Sequence, residues 1–408
     1  MSELRVWLHD QHIASLRTDR RSRLELAYLP DVVSRYGEGT TLLSVALPVS
    51  SVPHRTDVVE AWVDGLLPEG EMRTVLERMF AVRRGDSFSL LSALGRDCAG
   101  AVVFTPPEQP PQARGRAVPL TDSEVASALD ALPQHPLGVD IDVRVSLGGL
   151  QSKLLLVRTK KGWARPEGGA PSTHILKPEP PEFPGLVAAE AFAQKAAAIA
   201  GLEAASVEIA EFGNRTVLVV ERFDRELHDG NLVRIHQEDA CQALGLNPDR
   251  KYQTLNGTGS YQAIANVLRM HGERPERELQ RLGRMMAFTT AIGNTDAHLR
   301  NHALLHRSGA VVLAPVYDCA PTIDFAATRQ VALWVAGQPM LSAITGDHLV
   351  REMSGWGIET SVALATIRST LEAAGDALPA AADSVGKLPK QTVSRALRRV
   401  RSLLATIG

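Results

Sequence analysis

The chain has 408 residues, of which 44% are hydrophobic, and this length and composition suit two or three packed domains. Its 44 basic and 46 acidic side chains leave a formal charge of −2, which argues against a global attraction to nucleic acid or to an anionic membrane. Three widely separated cysteines suit a reducing compartment better than a disulfide framework. Because no leader peptide and no long apolar run is evident, we expect a cytoplasmic protein without a membrane partner.

The first hundred residues predict a small α+β domain. Residues 4–10 and 12–16 alternate like a hairpin, and residues 42–49 are a candidate third strand. Residues 58–67 and 72–82 have the periodicity of amphipathic helices. We therefore expect strands first and helices second in this part of the chain.

A proline-rich stretch follows, with five prolines between residues 105 and 119 and no helical or strand periodicity. Such composition is typical of a linker. We predict an N-terminal domain over residues 1–106, a linker over 107–119, a strand-rich N-lobe over 120–225 and a helical C-lobe over 226–408. The expected fold class is α+β, a protein-kinase-like two-lobed fold with an extra small N-terminal α+β domain.

The two predicted lobes differ in periodicity. One helix, closed by Gly201, interrupts the strands of the N-lobe, and the pair Gly213-Asn214 marks a turn. The strand candidates are residues 139–149, 150–158, 173–179 and 206–224, and the helix covers residues 186–200. Helical candidates in the C-lobe are residues 236–246, 260–270 and 276–293 and most of the last 60 residues.

Phosphoryl-transfer chemistry is indicated by Asp296, Asn301 and Asp318. Kinase-type sites place the residue that accepts the hydroxyl proton and one Mg²⁺ ligand on a single short loop, which fits the spacing of Asp296 and Asn301. Residues 302–306 and 311–313 are predicted to be two short strands around a turn, and these strands would return Asp318 to the loop. Asp318 then has the position of a second metal ligand.

A glycine-rich stretch, Ser146 to Lys153, lies between two strand candidates. Paired glycines allow backbone N–H groups to approach phosphate oxygens, so this stretch could cover a nucleotide's phosphates. It is not a Walker A motif, because Leu154 follows the lysine where Ser or Thr is required. A plain hairpin turn explains the same glycines equally well.

Further along the chain, Lys177 ends an apolar strand and Glu190 follows on the next helix. In kinases a strand lysine contacts the α- and β-phosphates and a helix glutamate orients it. Residues 221–224 then have a hinge-like composition. The order of glycine-rich loop, lysine, glutamate, hinge, Asp-x4-Asn and late Asp is the order of parts in a kinase.

Several ordered motifs resemble the HipA family of serine/threonine kinase toxins, and the resemblance covers nearly the whole chain. The motifs are SLGGLQSK, STHILKPE, VERFDR, QEDACQALG, GNTDAHLRNHAL and PVYD, with DGLLPEG and SLLSALGRDCAGAV in the N-terminal region. The resemblance implies a type II toxin that uses ATP and Mg²⁺, is paired with a helix-turn-helix antitoxin (HipB-like), and contacts operator DNA mainly through it. It also implies a protein substrate, such as an aminoacyl-tRNA synthetase.

The resemblance assigns roles to individual residues. It implies that Asp296 is the catalytic proton acceptor, that Asn301 and Asp318 bind the metal, and that Ser146 is autophosphorylated, which switches the kinase off. It implies nucleotide contacts for Lys177, with Glu190 as its orienting partner. It implies further nucleotide contacts for Gly148, Gly149, Leu150, Gln151, Ser152, Lys153, Glu221, Arg222, Phe223, His298, Leu299, Arg300, Asn301 and Asp318.

Three alternatives remain at this stage. His298, His302 and His306 are spaced by four and, with Asp296, could ligate the metal of a hydrolase if they lay on a helix, although their surroundings favour strands. The basic residues Lys387, Lys390, Arg395, Arg398, Arg399 and Arg401 could contact DNA phosphates or form a solvated helix face. Finally, a kinase fold could act mainly as a corepressor that binds an antitoxin.

Overall fold

The structure is a computed structural model and describes residues 2–21, 23–55, 57–109, 115–140, 143–149, 151–229, 231–307, 309–325 and 328–408. The chain forms two compact units, each built from three stretches. The first unit comprises Met1–Pro178, Glu211–Pro248 and Leu305–Gly309, and the second comprises Glu179–Ala210, Asp249–Leu304 and Ala310–Gly408. Among the described residues, no helix has the length and apolar character needed to span a bilayer.

The first unit begins with a five-stranded sheet in the order β4-β3-β2-β1-β5, in which neighbouring strands are antiparallel. Alternating burial along β1 turns Leu4 and Val6 toward the core, where Trp62 and Phe104 approach to 5.9 Å between ring centroids. The strands are β1 (Ser2–Leu8), β2 (Gln11–Thr18), β3 (Leu24–Tyr28), β4 (His54–Arg55) and β5 (Val102–Thr105). The helices are α1 (Pro30–Tyr36), α2 (Asp57–Leu66), α3 (Gly70–Met79) and α4 (Ser87–Leu94).

A second sheet in the same unit contains β11-β9-β7-β8-β6 in that order. β6 lies at the end of the predicted linker and pairs antiparallel with β8, whereas linker residues 110–114 lie outside the described residues. The elements are β6 (Arg116–Leu120), α5 (Asp122–Asp130), β7 (Leu154–Thr159), β8 (Gly162–Glu167), β9 (His174–Pro178) and β11 (Arg215–Glu221). β10 (Val207–Phe212) precedes β11, and its residues are divided between the units.

The remaining elements of the first unit are short. They are β12 (Arg225–His228), β13 (Asn231–Arg234), β14 (Gln237–Asp239), α7 (Ala240–Ala243) and most of β15 (Ala303–Arg307). β12 and β13 pair antiparallel. The backbone amide of His306 in β15 donates to the carbonyl of His236 just before β14, at 2.9 Å.

The second unit is predominantly helical. Its long central helix α11 packs against α6, α9, α10 and α12 and buries Ile367, Leu371 and Leu378. The helices are α6 (Leu186–Ile199), α8 (Tyr261–His271), α9 (Pro275–Ile292), α10 (Gly346–Gly355), α11 (Thr360–Asp383) and α12 (Thr392–Leu404). The strands that lie wholly in this unit are β16 (Ala310–Leu313), β17 (Gln330–Val335) and β18 (Gln338–Met340). The α+β class is therefore confirmed.

Two predicted strands are wrong. Residues 42–49 are not a strand, because the Leu47 amide turns back to the Ser44 carbonyl at 3.1 Å and the Tyr28 hydroxyl holds the Leu47 carbonyl at 2.7 Å. Their alternation reflects a loop that lines the core. The strand predicted over residues 139–149 is also wrong where it is described, because residues 143–149 have no strand partner beyond one bridge between Val145 and Asp97. Residues 141 and 142 lie outside the described residues.

Candidate active site

The loop that carries Asp296 starts where α9 ends. Gly293 has φ +80, a left-handed conformation that suits a helix C-terminus. The Asn294 side chain then accepts from the Asp296 amide at 2.9 Å, and the Asp296 carbonyl accepts from the His298 amide at 2.8 Å and from the Asn301 side-chain amide at 2.9 Å. A single 3₁₀ turn, Leu299–Asn301, ends the loop. These bonds fix the backbone of Asp296 on both sides.

The Asp296 carboxylate is half-buried. Burial raises the pKa of this carboxyl, and the negative charge of Asp318 acts in the same direction. A hydrogen bond from the Tyr252 hydroxyl, 2.8 Å from Oδ1, and the positive charge of Lys251 oppose the rise in pKa. Asp296 and Asp318 therefore interact electrostatically within the second unit.

Asp318 is brought to the loop by the predicted hairpin. β15 and β16 have nearly the bounds expected from the sequence, and the Ala314 amide donates to the Ala303 carbonyl at 2.8 Å. The Tyr317 hydroxyl then donates to the Arg300 carbonyl at 2.6 Å, which ties the residue before Asp318 to the Asp296 loop. The Asp318 side chain is exposed, and its backbone has φ +50.

The other residues of the loop point inward. Leu299 is fully buried, and Arg300 and Asn301 are each less than one-tenth exposed. Any nucleotide contact by Leu299 would therefore use its backbone. Glu190, on α6 in the same unit, is also buried, and its charge contributes to the raised pKa of the Cys319 thiol, about 12, for which burial is the main cause. Its predicted pairing with Lys177 stays a prediction.

The histidine-metal alternative does not fit the structure. His302 Nδ1 lies 2.9 Å from the His298 carbonyl, and burial lowers the pKa of His302 to about 4. His306 Nε2 instead lies 3.0 Å from Glu238 Oε1 in the first unit. Across the described ranges, no three His, Cys, Asp or Glu side chains are grouped as metal ligands.

The glycine-rich stretch lies in the first unit. The buried Ser146 hydroxyl donates to the Leu66 carbonyl at 2.6 Å, and its amide donates to the Asp97 carbonyl at 2.9 Å. Gly149 has φ +115, which disfavours any side chain. The Lys153 ammonium donates to the Gly148 carbonyl at 2.7 Å. Gln151 is half-buried and Ser152 exposed, and the predicted contact residue Leu150 lies outside the described residues.

Lys177 and the hinge candidates also lie in the first unit. Lys177 pairs with Leu218 of β11 and is mostly buried. Glu221 is exposed and Phe223 is half-buried, whereas the Arg222 side chain is buried and bonds the Asp224 carboxylate at 2.8 Å and 2.9 Å. The predicted nucleotide contact of Arg222 would therefore use its backbone.

Known proteins resemble the chain over most of its length. Protein Y4mE of Sinorhizobium fredii is 36% identical over 329 residues, which cover 79% of this chain and 78% of the relative. Serine/threonine-protein kinase toxin HipA of Shewanella oneidensis is 28% identical over 347 residues, which cover 80% and 77%. A solved complex of Shewanella oneidensis HipA, HipB and operator DNA matches with a TM-score of 0.83 and 26% identity, covering 99% of this chain and 96% of that chain.

Two family models match as well. Residues 4–105 match the HipA N-terminal domain, and residues 145–394 match the HipA-like C-terminal domain. The chain belongs to the HipA family of serine/threonine-protein kinase toxins. This membership confirms the resemblance drawn from the motifs, the kinase-like fold class and the kinase activity class. The roles of individual residues in this HipA-family chain stay predictions.

Sequence reasoning missed three residues that contact Asp318 or the loop carrying Asp296. They are Gln194, Lys251 and Tyr252. The Gln194 side-chain amide, oriented to satisfy both neighbours, donates to the Val316 carbonyl at 2.9 Å and accepts from the Asp318 amide at 3.1 Å. The Lys251 carbonyl accepts from the Leu299 amide at 3.1 Å. No local pattern marks these residues, because their contacts join distant parts of the chain.

Two arginines of the C-terminal basic stretch of this HipA-family chain bond other parts of the protein. Arg395 forms an ion pair with Asp324, and Arg399 donates to the carbonyls of Thr290 and Leu341, at 2.7 Å and 2.5 Å. Burial lowers the pKa of Arg399 to about 10. These two arginines therefore stabilise the fold, which weakens the case for a DNA-binding face built from all six.

Proposed function

We propose that this chain is an ATP- and Mg²⁺-dependent serine/threonine protein kinase and the toxin of a type II toxin–antitoxin pair. One observation carries the proposal: the second unit holds a half-buried Asp296 on a loop with Asn301, within electrostatic reach of an exposed Asp318. A proton acceptor beside two oxygen ligands for metal is the constellation that phosphoryl transfer requires.

Asn301 and Asp318 suit Mg²⁺, because this cation prefers oxygen ligands and usually takes one or two from protein, with phosphates and water completing its shell. The Asn301 side-chain nitrogen already donates to the Asp296 carbonyl. In this orientation the Asn301 side-chain oxygen is the atom that would bind the cation. When bound, Mg²⁺ neutralises negative charge on the phosphoryl group in transfer.

Asp296 accepts the proton of the serine or threonine hydroxyl. Its raised pKa makes the carboxylate a stronger base than an ordinary exposed aspartate. Lys177, with Glu190 as its partner, binds the α- and β-phosphates. The stretch from Gly148 to Lys153 covers the phosphates, and the backbone of residues 221–223 meets the adenine.

Ser146 is the proposed self-inactivation site. Its hydroxyl is buried and donates to the Leu66 carbonyl. A phosphoserine could not keep this bond, because it has no hydroxyl proton to donate and its charge would face a carbonyl oxygen. Phosphorylation would therefore expel residue 146 and displace the glycine-rich stretch, which weakens ATP binding.

The proposed partner is a helix-turn-helix antitoxin, and operator DNA would be contacted mainly through it. Support comes from the solved HipA neighbour, which was determined with HipB and operator DNA. By the family resemblance, the acceptor would be a translation component such as an aminoacyl-tRNA synthetase. Fold alone does not identify the acceptor protein.

The deciding experiment incubates the purified chain with Mg²⁺ and ATP and maps phosphate by mass spectrometry. Asp296→Asn removes the base while preserving shape, and Asp376→Asn is the matched control, because Asp376 is exposed on α11. We expect phosphate on Ser146 in the wild type and the control and none in Asp296→Asn. Nucleotide binding without transfer to itself or to lysate proteins would favour a corepressor role, and absence of binding would refute the kinase assignment.

A further inference from the structure

Tyr252 covers the proposed catalytic base. Its hydroxyl donates to Asp296 Oδ1 at 2.8 Å, and the residue is 44% exposed. Both residues belong to the second unit. The carboxylate of Asp296 is therefore engaged by a hydroxyl group from the protein itself.

This hydrogen bond has the geometry that the reaction needs from its acceptor. A general base must lie about 2.6–3.2 Å from the oxygen whose proton it removes. The phenol hydroxyl of Tyr252 meets this distance and presents the same O–H donor as a serine or threonine side chain. Tyr252 thus occupies the position on Oδ1 that an acceptor hydroxyl would use.

The backbone next to Tyr252 is anchored, whereas its ring is partly exposed. The preceding carbonyl, that of Lys251, accepts from the Leu299 amide at 3.1 Å, which anchors the backbone on the Asp296 loop. The ring meets His298 edge-on, at 5.3 Å between centroids and 84° between planes. The Lys251 ammonium lies 5.8 Å from the ring centroid. Because 44% of the residue is exposed, we infer that the ring can rotate outward without displacing the loop.

We propose that Tyr252 is an acceptor gate: its hydroxyl occupies Asp296 until a protein acceptor displaces the ring, and it thereby suppresses phosphoryl transfer to water. The inference rests on the proposed function, since it needs Asp296 as the base. It adds a residue that determines which acceptor is used. A water molecule is too small to displace the ring by contact, whereas a bound polypeptide covers enough surface to do so.

The test is ATP hydrolysis by the full chain with Mg²⁺ and without any protein acceptor, measured as initial rates. Tyr252→Phe keeps the ring and removes the donor. Its kcat for hydrolysis should rise about threefold to tenfold, as expected for loss of one partly exposed hydrogen bond to a charged group, while KM for ATP stays unchanged. A merely structural role would predict a loss of rate, so a gain separates the two.

Tyr36→Phe is the matched control, because Tyr36 is also exposed and its hydroxyl also bonds a side-chain oxygen, that of Gln11, at 3.2 Å. Hydrolysis by this variant should equal that of the wild type. An unchanged or lower rate in Tyr252→Phe, with phosphoryl transfer by the wild type intact, overturns the gate and leaves the proposed function standing. A wild type that neither hydrolyses ATP nor transfers phosphate overturns both.

Discussion

The side chain of Gln194 on α6 holds the backbone of Asp318, accepting from its amide at 3.1 Å while donating to the Val316 carbonyl at 2.9 Å. Gln194 is almost fully buried, so few other partners could replace it. Asp318 has φ +50, a conformation that non-glycine residues adopt at some cost. Gln194 therefore positions the backbone of Asp318, a proposed metal ligand.

Gln194→Leu should weaken the response to Mg²⁺. The substitution leaves two backbone groups without their side-chain partner, and loss of such outer contacts typically costs about 10- to 100-fold in metal affinity or activity. We expect a higher Mg²⁺ concentration at half-maximal rate, measured by titrating Mg²⁺ at fixed ATP. Gln280→Leu, at a half-buried position on α9, is the control and should leave the curve in place. Identical curves for both variants would contradict the positioning role.

Ser146→Ala should protect the kinase from self-inactivation. Wild-type activity should decay during incubation with Mg²⁺ and ATP, as phosphate accumulates on residue 146, whereas the variant should keep its initial rate. Ser34→Ala is the control, because Ser34 is an exposed serine on α1 in the same unit and has no proposed contact with the nucleotide. Time courses of activity and of phosphate content provide the measurement. Decay of equal rate in Ser146→Ala would remove Ser146 as the switch.

Asp224→Asn should destabilise the first unit strongly. The Asp224 carboxylate is buried between Arg222, at 2.8 Å, and Arg225, at 3.0 Å, and their charges hold its pKa far below the usual range despite the opposing effect of burial. Breaking a buried ion pair costs about 3–5 kcal/mol, because an uncompensated charge remains. Urea unfolding should show this loss.

The control for that measurement is Asp229→Asn, since Asp229 is exposed beyond the end of β12. It should change the free energy of unfolding by no more than about 0.5 kcal/mol. If the Asp224 variant unfolds at the same urea concentration as this control, the buried network contributes little to stability.

His236 should make stability fall as the pH drops below about 6.5. Burial lowers the pKa of His236 well below its usual value, and the neighbouring His306 acts in the same direction. On acidification the unfolded chain therefore binds a proton at residue 236 that the folded chain does not bind. The free energy of unfolding falls by about 2 kcal/mol between pH 7 and pH 5. Urea unfolding of the wild type and of His236→Gln at pH 7 and at pH 5 measures this change in the free energy of unfolding.

The variant should lose less stability than the wild type on acidification, although it starts from a lower value. The control is His228→Gln, at an exposed position in β12, which should lose as much stability between pH 7 and pH 5 as the wild type. Asp97 does not confuse the comparison, because its pKa is lowered to about 2 and it stays charged at pH 5. Equal pH dependence in all three proteins would show that His236 is not the titrating group.

The sequence by itself determined the features that depend on neighbouring residues. The order of motifs, the spacing of Asp296 and Asn301, the hairpin before Asp318 and the helix ending at Gly201 are all local patterns, and the structure reproduces their geometry. Local patterns report periodic burial and turn chemistry, which a short segment carries in itself.

Only the tertiary structure decided which distant residues meet. Residues 42–49 alternate like a strand, but they form a loop because the Tyr28 hydroxyl and the sheet core determine where they lie. Tyr252 reaches Asp296 across 44 residues, and Gln194 on α6 reaches the backbone of Asp318. Such contacts depend on how whole elements pack, and packing follows from summed burial and hydrogen bonding over the chain, which no short segment encodes.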